Sequence, residues 1–140
     1  MSASDRSTLA LALARPTGAS SDFDLNPGTV LPAERVLRPA GVLVAILDHH
    51  DGPHLILTKR SSHLKHHPGQ IAFPGGKVDP GDDGAVGAAL REGWEEIGLP
   101  PAQVQLIGTL PPHETVTGFL ITPVLALVSG SFFQIGRAHV

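Results

Sequence analysis

Three glutamates lie close together in the second half of the chain. Only five Glu occur in 140 residues, and Glu92, Glu95 and Glu96 fall within five positions. In a helix this spacing brings the three carboxylates onto one turn, where like charges repel and the helix C-terminus disfavours anions. A hard divalent cation, Mg²⁺ or Mn²⁺, would neutralise such a cluster. A solvated acidic face on an amphipathic helix is the alternative interpretation.

A glycine-rich segment precedes these glutamates. Residues 73–81 read FPGGKVDPG, with three glycines and two prolines around Lys77. Glycines let the backbone approach a ligand closely, and a lysine suits a phosphate group. A strand-to-helix connection with unusual dihedral angles would need the same glycines, so both interpretations stay open.

The glutamates require a helix to position them. Asp82 or Asp83 can cap its N-terminus, and Gly98 followed by Pro100 can end it. On a helical wheel the face opposite Glu92 is apolar, which predicts contact with the core. The residues on that face are Val86, Leu90, Trp94 and Ile97.

Apolar runs around this helix predict strands. Residues 42–47 (VLVAIL) predict a strand buried on both faces, and a turn at 48–53 joins them to a second strand at 54–60. Residues 104–110 and 119–128 predict two more strands, and residues 8–15 a short helix. Strands around one strong helix indicate a mixed α/β domain.

The composition excludes several classes of protein. The chain has no Cys, which excludes disulfide scaffolds, Cys-ligated zinc and iron–sulfur clusters. A net charge of −3 argues against sequence-independent binding to the phosphates of a nucleic acid. No apolar run approaches the roughly 18 residues that span a bilayer. We therefore expect no nucleic-acid or membrane partner and a cytoplasmic location.

Residues 75–99, GGKVDPGDDGAVGAALREGWEEIGL, resemble the Nudix box, G-x5-E-x7-R-E-U-x-E-E-x-G-U, in which U is a bulky aliphatic residue. Gly76 matches the first glycine, and the later fixed positions are Arg91, Glu92, Glu95, Glu96, Gly98 and Leu99. The sequence departs from this pattern in three ways. Asp82 replaces the first Glu, the next spacer has eight residues, and Gly93 replaces an aliphatic residue.

The upstream segment resembles one branch of that superfamily, the coenzyme A pyrophosphatases. Their motif is L-L-T-x-R-S-x-x-L-R-x-x-x-G-x-x-x-F-P-G-G, and residues 56–76 read ILTKRSSHLKHHPGQIAFPGG. The spacing of the Nudix box and residues 110–124 also look like this branch. The resemblance implies a Nudix fold, an α/β (α+β) mixed β-sheet with helices packed as an α/β/α sandwich.

The resemblance also implies a divalent-metal pyrophosphohydrolase that uses Mg²⁺ or Mn²⁺. It would cleave coenzyme A or acyl-coenzyme A to 3′,5′-ADP and (acyl-)4′-phosphopantetheine. The alternatives are hydrolysis of another nucleoside diphosphate derivative, or an inactive truncated fragment. Oligomeric state is left open, with a homodimer as one option.

Residue roles follow from the same resemblance. The implied catalytic residues are Arg91, Glu92, Glu95 and Glu96. The implied metal ligands are Glu92, Glu95, Glu96 and Gly76. The implied substrate-binding residues are Arg60, Ser61, Lys65, Lys77 and Gly75. Arg91 is expected to orient the carboxylates by bidentate hydrogen bonds, and the general base is either Glu92 or a later carboxylate such as Glu114.

Composition, the resemblance and the C-terminal residues together divide the chain into three expected parts. Residues 1–35 are expected to be a weakly ordered N-terminal arm, and residues 36–128 a partial Nudix domain. Residues 129–140 are expected to be a non-native tail, because IGRAHV matches the translation of a sequencing adapter and lacks any helical or strand pattern. A domain that lacks strands would leave an open core, so we expect poor stability.

Overall fold

The computed structural model describes residues 3–14, 18–22, 36–59, 70–129 and 138–139. Helix α1 spans Ala3–Leu13, and helix α2 spans Gly84–Ile97. A 3-10 turn follows at Pro101–Gln103. The strands, in chain order, are β1 Ser20–Ser21, β2 Arg38–His49, β3 Gly52–Leu55, β4 Leu57–Lys59, β5 Ile71–Ala72, β6 Gly75–Lys77, β7 Val104–Thr109, β8 His113–Glu114, β9 Phe119–Val128 and β10 Ala138–His139.

The main sheet is built on two long parallel strands, β2 and β9. Their register runs from Arg38 opposite Phe119 to Leu47 opposite Val128. Strands β3 and β6 pair antiparallel with β2, and strands β7 and β8 pair antiparallel with β9. Strand β1 extends the sheet by pairing parallel with β8. The prediction of a mixed α/β domain is confirmed.

A second, smaller sheet has the order β10–β4–β5. The sequence predicted one continuous strand over residues 54–60, but the structure divides its described part between the two sheets. Ile56 lies at the division, fully buried, with its N–H donating to the carbonyl of Ala45. Burial of this side chain turns the chain from β3 in the main sheet to β4 in the second sheet.

The core lies between strand β2 and helix α2. Leu43, Ala45 and Leu47 are buried, whereas the alternate residues Val42 and Val44 keep intermediate exposure. The prediction that residues 42–47 are buried on both faces is therefore wrong, because only the face toward α2 is fully covered. The other members of this cluster are Ile56, Ala89, Ile97, Leu99, Val124, Ala126 and Val128.

Helix α2 packs through small residues more than the wheel predicted. Ile97 is buried, and Val86 and Leu90 pack against the core cluster, as expected. Trp94, however, is 55% exposed, so its assignment to the core face is wrong. The buried positions of the helix also include Ala88, Ala89 and Gly93. These small residues let the helix lie close to the sheet, and its covered side is rotated away from Trp94.

The two ends of α2 are fixed differently. Gly98 adopts a left-handed conformation with φ 69°, and its N–H donates to the carbonyl of Trp94. This glycine ends the helix as predicted. At the other end Asp83 occupies the N-cap position without a side-chain capping hydrogen bond. The carboxylate of Asp82 accepts hydrogen bonds elsewhere, so neither predicted aspartate caps the helix through its side chain.

The N-terminal helix begins earlier than predicted. Residues 8–15 were expected to form it, and α1 instead spans Ala3–Leu13. It packs against strand β7, where Gly108 faces Leu13. A side chain at position 108 would bring its Cβ to 2.9 Å from Leu13 Cδ1, so this glycine permits the contact.

Candidate active site

Glu92 lies directly against strand β6. A Cβ atom built on Gly76 would be 2.6 Å from Glu92 Oε1, closer than van der Waals contact allows. The Glu92 side chain is only 17% exposed. The absence of a side chain at position 76 therefore creates the space that the carboxylate occupies.

The other two glutamates differ in exposure. Glu96 is half-buried, whereas the Glu95 side chain is 54% exposed. The sequence placed all three carboxylates on one face, and the helix does hold them on one turn. Because α2 packs through its small residues, Glu92 and Glu96 lie on its less exposed side and Glu95 points toward solvent.

Strand β6 is held between β2 and α2 by backbone contacts. Gly75 and Gly76 pair with Val42 and Gly41 of β2. A Cβ on Gly75 would be 2.5 Å from the carbonyl oxygen of Gly41, and a Cβ on Gly41 would be 2.1 Å from the carbonyl oxygen of Ala85. Three backbones thus meet with no room for side chains, which fixes β6 beside the glutamates.

Arg91 joins the acidic residues of this region. Its Nε donates to Asp82 Oδ1 at 2.9 Å and its Nη2 donates to Asp82 Oδ2 at 3.1 Å, a bidentate arrangement. Its Nη1 donates to Glu92 Oε1 at 3.1 Å and to Glu95 Oε2 at 3.2 Å. Its Nη2 also donates to the carbonyl oxygen of Lys77 at 3.2 Å. One guanidinium therefore links the loop before α2, the helix and strand β6.

This network stabilises charge on both of its main partners. The Arg91 guanidinium beside Asp82 lowers the pKa of that carboxyl below its ordinary value of 3.8, helped by the N–H of Asp79. The hydrogen bond from Arg91 to Asp82 likewise raises the pKa of Arg91 above its ordinary value. Asp82, with a side chain only 7% exposed, is the residue that replaces the first glutamate of the Nudix box.

The structure describes only part of the predicted substrate-binding set. Arg60, Ser61 and Lys65 lie outside the described residues. Gly75 and Lys77 lie on β6 immediately beside Glu92, and the side chain of Lys77 is exposed. The predicted metal ligands Glu92, Glu96 and Gly76 are brought together, with Glu95 on the adjacent outer surface.

The donor set fits a hard divalent cation. Carboxylate and backbone carbonyl oxygens are the ligands that Mg²⁺ and Mn²⁺ prefer. Glu92 and Glu96, one helical turn apart, supply carboxylates, and Gly76 supplies a carbonyl on the strand that Glu92 touches. The space left by Gly76 admits the Glu92 carboxylate, and the hydrogen bond from Arg91 Nη1 to its Oε1 orients it.

Two polar clusters were not predicted from the sequence. In the first, His113 shares hydrogen bonds with Ser20 Oγ and Asp22 Oδ1, each at 2.7 Å. Those partners lie more than 90 residues away in the chain, so no local pattern could have found them. The second contains His49, Asp51 and His54 at the β2–β3 turn. Its sequence, DHHDGPH, carries a readable signal in three histidines within a short hairpin.

Sequence comparison identifies the family. The family model described as "NUDIX domain" matches residues 37–135. This chain therefore belongs to the Nudix family.

Named relatives support the same assignment. The chain is 50% identical over 91 residues to the "Uncharacterized Nudix hydrolase NudL" of Enterobacter sp. (strain 638) and to that of Escherichia coli (strain K12). Each alignment covers 65% of this chain and 47% of the relative. The chain thus spans about half the length of the curated relatives it matches.

Solved structures support the fold. The C. elegans Ap4A hydrolase is 22% identical with a TM-score of 0.58, over 74% of this chain and 79% of that one. The M. smegmatis Nudix hydrolase RenU is 23% identical with a TM-score of 0.57, over 71% and 66%. The Nudix domain of Shewanella oneidensis NrtR, complexed with ADP ribose, is 18% identical with a TM-score of 0.52, over 84% and 79%. At these identities the likeness confirms the predicted Nudix α/β fold and no more.

Among the described residues, no helix could span a membrane. Neither α1 nor α2 is long and apolar enough to cross a bilayer.

Proposed function

We propose that this chain carries the catalytic residues of a divalent-metal-dependent pyrophosphohydrolase that acts on coenzyme A or acyl-coenzyme A. The proposal rests on the position of the Glu92 carboxylate in the space beside Gly76. Arg91 links this carboxylate to Asp82 and to strand β6 through hydrogen bonds. The substrate assignment rests on the motif at residues 56–76, which resembles that of the coenzyme A pyrophosphatases.

The reaction adds water across a diphosphate. The water oxygen forms a bond to one phosphorus, the bond from that phosphorus to the bridging oxygen breaks, and the bridging oxygen leaves on the second phosphate. The products are 3′,5′-ADP and (acyl-)4′-phosphopantetheine. A bound Mg²⁺ or Mn²⁺ would supply Lewis-acid polarisation of the diphosphate and would acidify the attacking water.

Each residue of the site has a part in this proposal. Glu92, Glu96 and the carbonyl of Gly76 would hold the metal, with Glu95 as an outer carboxylate. Arg91 positions Glu92 and Glu95, and its hydrogen bond to the carbonyl of Lys77 ties strand β6 to the helix. Lys77, exposed beside the site, binds the phosphates together with Arg60, Ser61 and Lys65. Gly75 is assigned to substrate binding by the motif alone, since its missing side chain faces strand β2.

Product analysis tests the proposal directly. The purified protein is incubated with coenzyme A and either Mg²⁺ or Mn²⁺, and the products are identified by mass spectrometry. We expect 3′,5′-ADP from the wild type and none above background from Glu96→Gln. Repeating the reaction in ¹⁸O-labelled water assigns the phosphorus that is attacked, because the label enters only that product.

The alternative substrates are tested in the same assay. Acetyl-coenzyme A, ADP-ribose and diadenosine tetraphosphate are offered in parallel at equal concentration. Turnover of coenzyme A or acetyl-coenzyme A at least tenfold faster than that of ADP-ribose and diadenosine tetraphosphate supports the proposal. Faster turnover of another nucleoside diphosphate derivative would replace the substrate and leave the metal site intact, whereas no turnover of any substrate by folded protein would contradict both.

A further inference from the structure

A second group of metal-ligating side chains lies at the β2–β3 hairpin. His49 ends β2, Asp51 lies in the turn, and His54 lies on β3. One ligand atom from each of the three residues lies within 4.8 Å of the other two. Asp51 Oδ1 is 2.5 Å from His49 Nδ1 and 2.7 Å from His54 Nε2.

The hairpin register explains why the two imidazoles meet. Leu47 pairs with His54, and His49 pairs with Gly52 across a two-residue turn. Side chains two residues apart on a strand share a face, so His49 and His54 are diagonal neighbours on the side of β2 that carries Leu47. Gly52, with φ 123°, completes the tight turn that places Asp51 between them.

We propose that His49, Asp51 and His54 bind a transition-metal ion of the Zn²⁺ class. Two imidazole nitrogens and one carboxylate oxygen are a ligand set that Zn²⁺ accepts in tetrahedral geometry, with solvent at the fourth position. Zinc–ligand bonds of about 2.0–2.2 Å place ligand atoms roughly 3.3 Å apart. Movements of less than about 1 Å would bring the three present atoms to that separation.

The hairpin site differs from the glutamate site in both place and chemistry. Gly41, which pairs with Gly76 beside the glutamates, lies eight residues before His49 on β2, a distance of about 26 Å along the strand. The hairpin offers nitrogen ligands, whereas the glutamate site offers oxygen alone. Mg²⁺ therefore prefers the glutamates, and Zn²⁺, Co²⁺ or Ni²⁺ prefers the hairpin.

Exposure favours the entry of an ion. The side chains of His49, Asp51 and His54 are 37%, 58% and 31% exposed. An ion can therefore reach the three ligand atoms without unfolding of the hairpin. Because the ligands come from both strands and the turn, a bound ion would link the two strands at the turn end of the hairpin.

Titration with metal alone tests this proposal. Zn²⁺ is titrated calorimetrically into the full chain in a large excess of Mg²⁺, and Co²⁺ is titrated separately while its visible absorption is recorded. We expect one Zn²⁺ bound per chain and the absorption of a tetrahedral Co²⁺ complex. Binding should weaken at least about 100-fold in His49→Ala and in His54→Ala, because each removes one of three ligands.

His50→Ala is the matched control. His50 is in the same turn and its ring is 4.1 Å from that of His49, but it is outside the three-residue group. We expect its Zn²⁺ affinity to remain within about twofold of wild type. Asp51→Asn removes the carboxylate ligand by a nearly isosteric change. We expect it to weaken Zn²⁺ binding as well, and a loss in this variant cannot be attributed to unfolding of the hairpin on loss of a histidine.

Glu96→Gln separates the hairpin site from the glutamate site. Zn²⁺ binding that survives Glu96→Gln and disappears in His49→Ala supports the proposal. Binding that disappears in Glu96→Gln and survives in His49→Ala would assign the ion to the glutamates and overturn it. Equal losses in His50→Ala and His49→Ala would also overturn it, since ring stacking in the turn and not coordination would then explain the effect.

Discussion

Glu92 can lie against strand β6 because residue 76 has no side chain. The carboxylate occupies the position that a Cβ atom would fill, and Arg91 donates to the same oxygen, Oε1. The position of this oxygen therefore depends on one hydrogen bond and on the absence of a methyl group at residue 76.

Gly76→Ala should abolish most activity without unfolding the protein. The new Cβ would lie 2.6 Å from the position that Glu92 Oε1 now occupies and would displace that atom by about 1 Å, and such a misplacement can cost about 100-fold in rate. Steady-state hydrolysis and Mn²⁺ binding measure the effect. Gly81→Ala is the control, since a Cβ there meets nothing within 4 Å. Equal rates for Gly76→Ala and the wild type would contradict the role of Glu92.

The Asp82–Arg91 pair should make stability depend on pH in the acid range. The folded-state pKa of Asp82 is lowered by Arg91, so its contribution to stability is fully present above its ordinary pKa of 3.8. That contribution is lost as the pH falls through the lowered folded-state pKa. In Asp82→Asn we expect a lower urea midpoint near neutral pH and a smaller further loss on acidification below about pH 5.

Asp83→Asn provides the control for this measurement. It removes a neighbouring carboxylate with the same change in net charge, and its side chain makes no capping hydrogen bond. If stability depended on pH equally weakly in Asp83→Asn and Asp82→Asn, net charge and not the bidentate pair would explain the pH dependence.

At the scale of elements, α2 and β2 approach closely enough at one point for backbone to meet backbone. Gly41 faces the carbonyl of Ala85, while Gly93 faces the side-chain end of Leu43. The two glycines therefore differ in what a methyl group would meet. Backbone cannot move without displacing the whole helix, whereas a Leu methyl can rotate aside.

Gly41→Ala should destabilise the protein strongly. Its Cβ would be 2.1 Å from the carbonyl oxygen of Ala85, so the helix must shift outward at a cost of about 3 kcal/mol or more. Gly93→Ala brings a Cβ to 3.0 Å from Leu43 Cδ2, and the gain in helix propensity of about 1 kcal/mol should offset most of that strain. Chemical denaturation measures both. A milder effect at position 41 than at position 93 would argue against the backbone contact.

At the scale of the whole molecule, stability depends on the cluster between β2, β9 and α2. Leu43 is fully buried at its centre, whereas Leu106 on β7 is 46% exposed. Leu43→Ala should cost about 2–5 kcal/mol and lower the thermal midpoint, while Leu106→Ala should cost far less. Differential scanning calorimetry compares the two variants, which remove the same atoms. Comparable losses would place the main core elsewhere.

Local patterns predicted much of this molecule. The helix that carries Glu92 to Glu96, the Gly98 that ends it and the pairing of β2 with β3 depend on neighbours in sequence and were predicted, although the turn has two residues where residues 48–53 were expected. The exposure of Trp94 was not predicted. A helical wheel gives the order of side chains around the helix, but it does not show which of them the sheet covers. The contact of Gly76 with Glu92 joins residues 16 positions apart, so it depends on the packing of β6 beneath the helix.

Strand β2 is hydrogen-bonded along both of its edges. One edge pairs with β9 from Arg38 to Leu47, and the other pairs with β6 near its start and β3 near its end. Between them, the N–H of Leu43 donates to Pro74 and the carbonyl of Ala45 accepts from Ile56. In heavy water, the central amides of β2 should therefore exchange their protons last, only when the molecule opens as a whole. The glutamate site and the histidine hairpin are then attached to opposite ends of the slowest-exchanging segment of the chain.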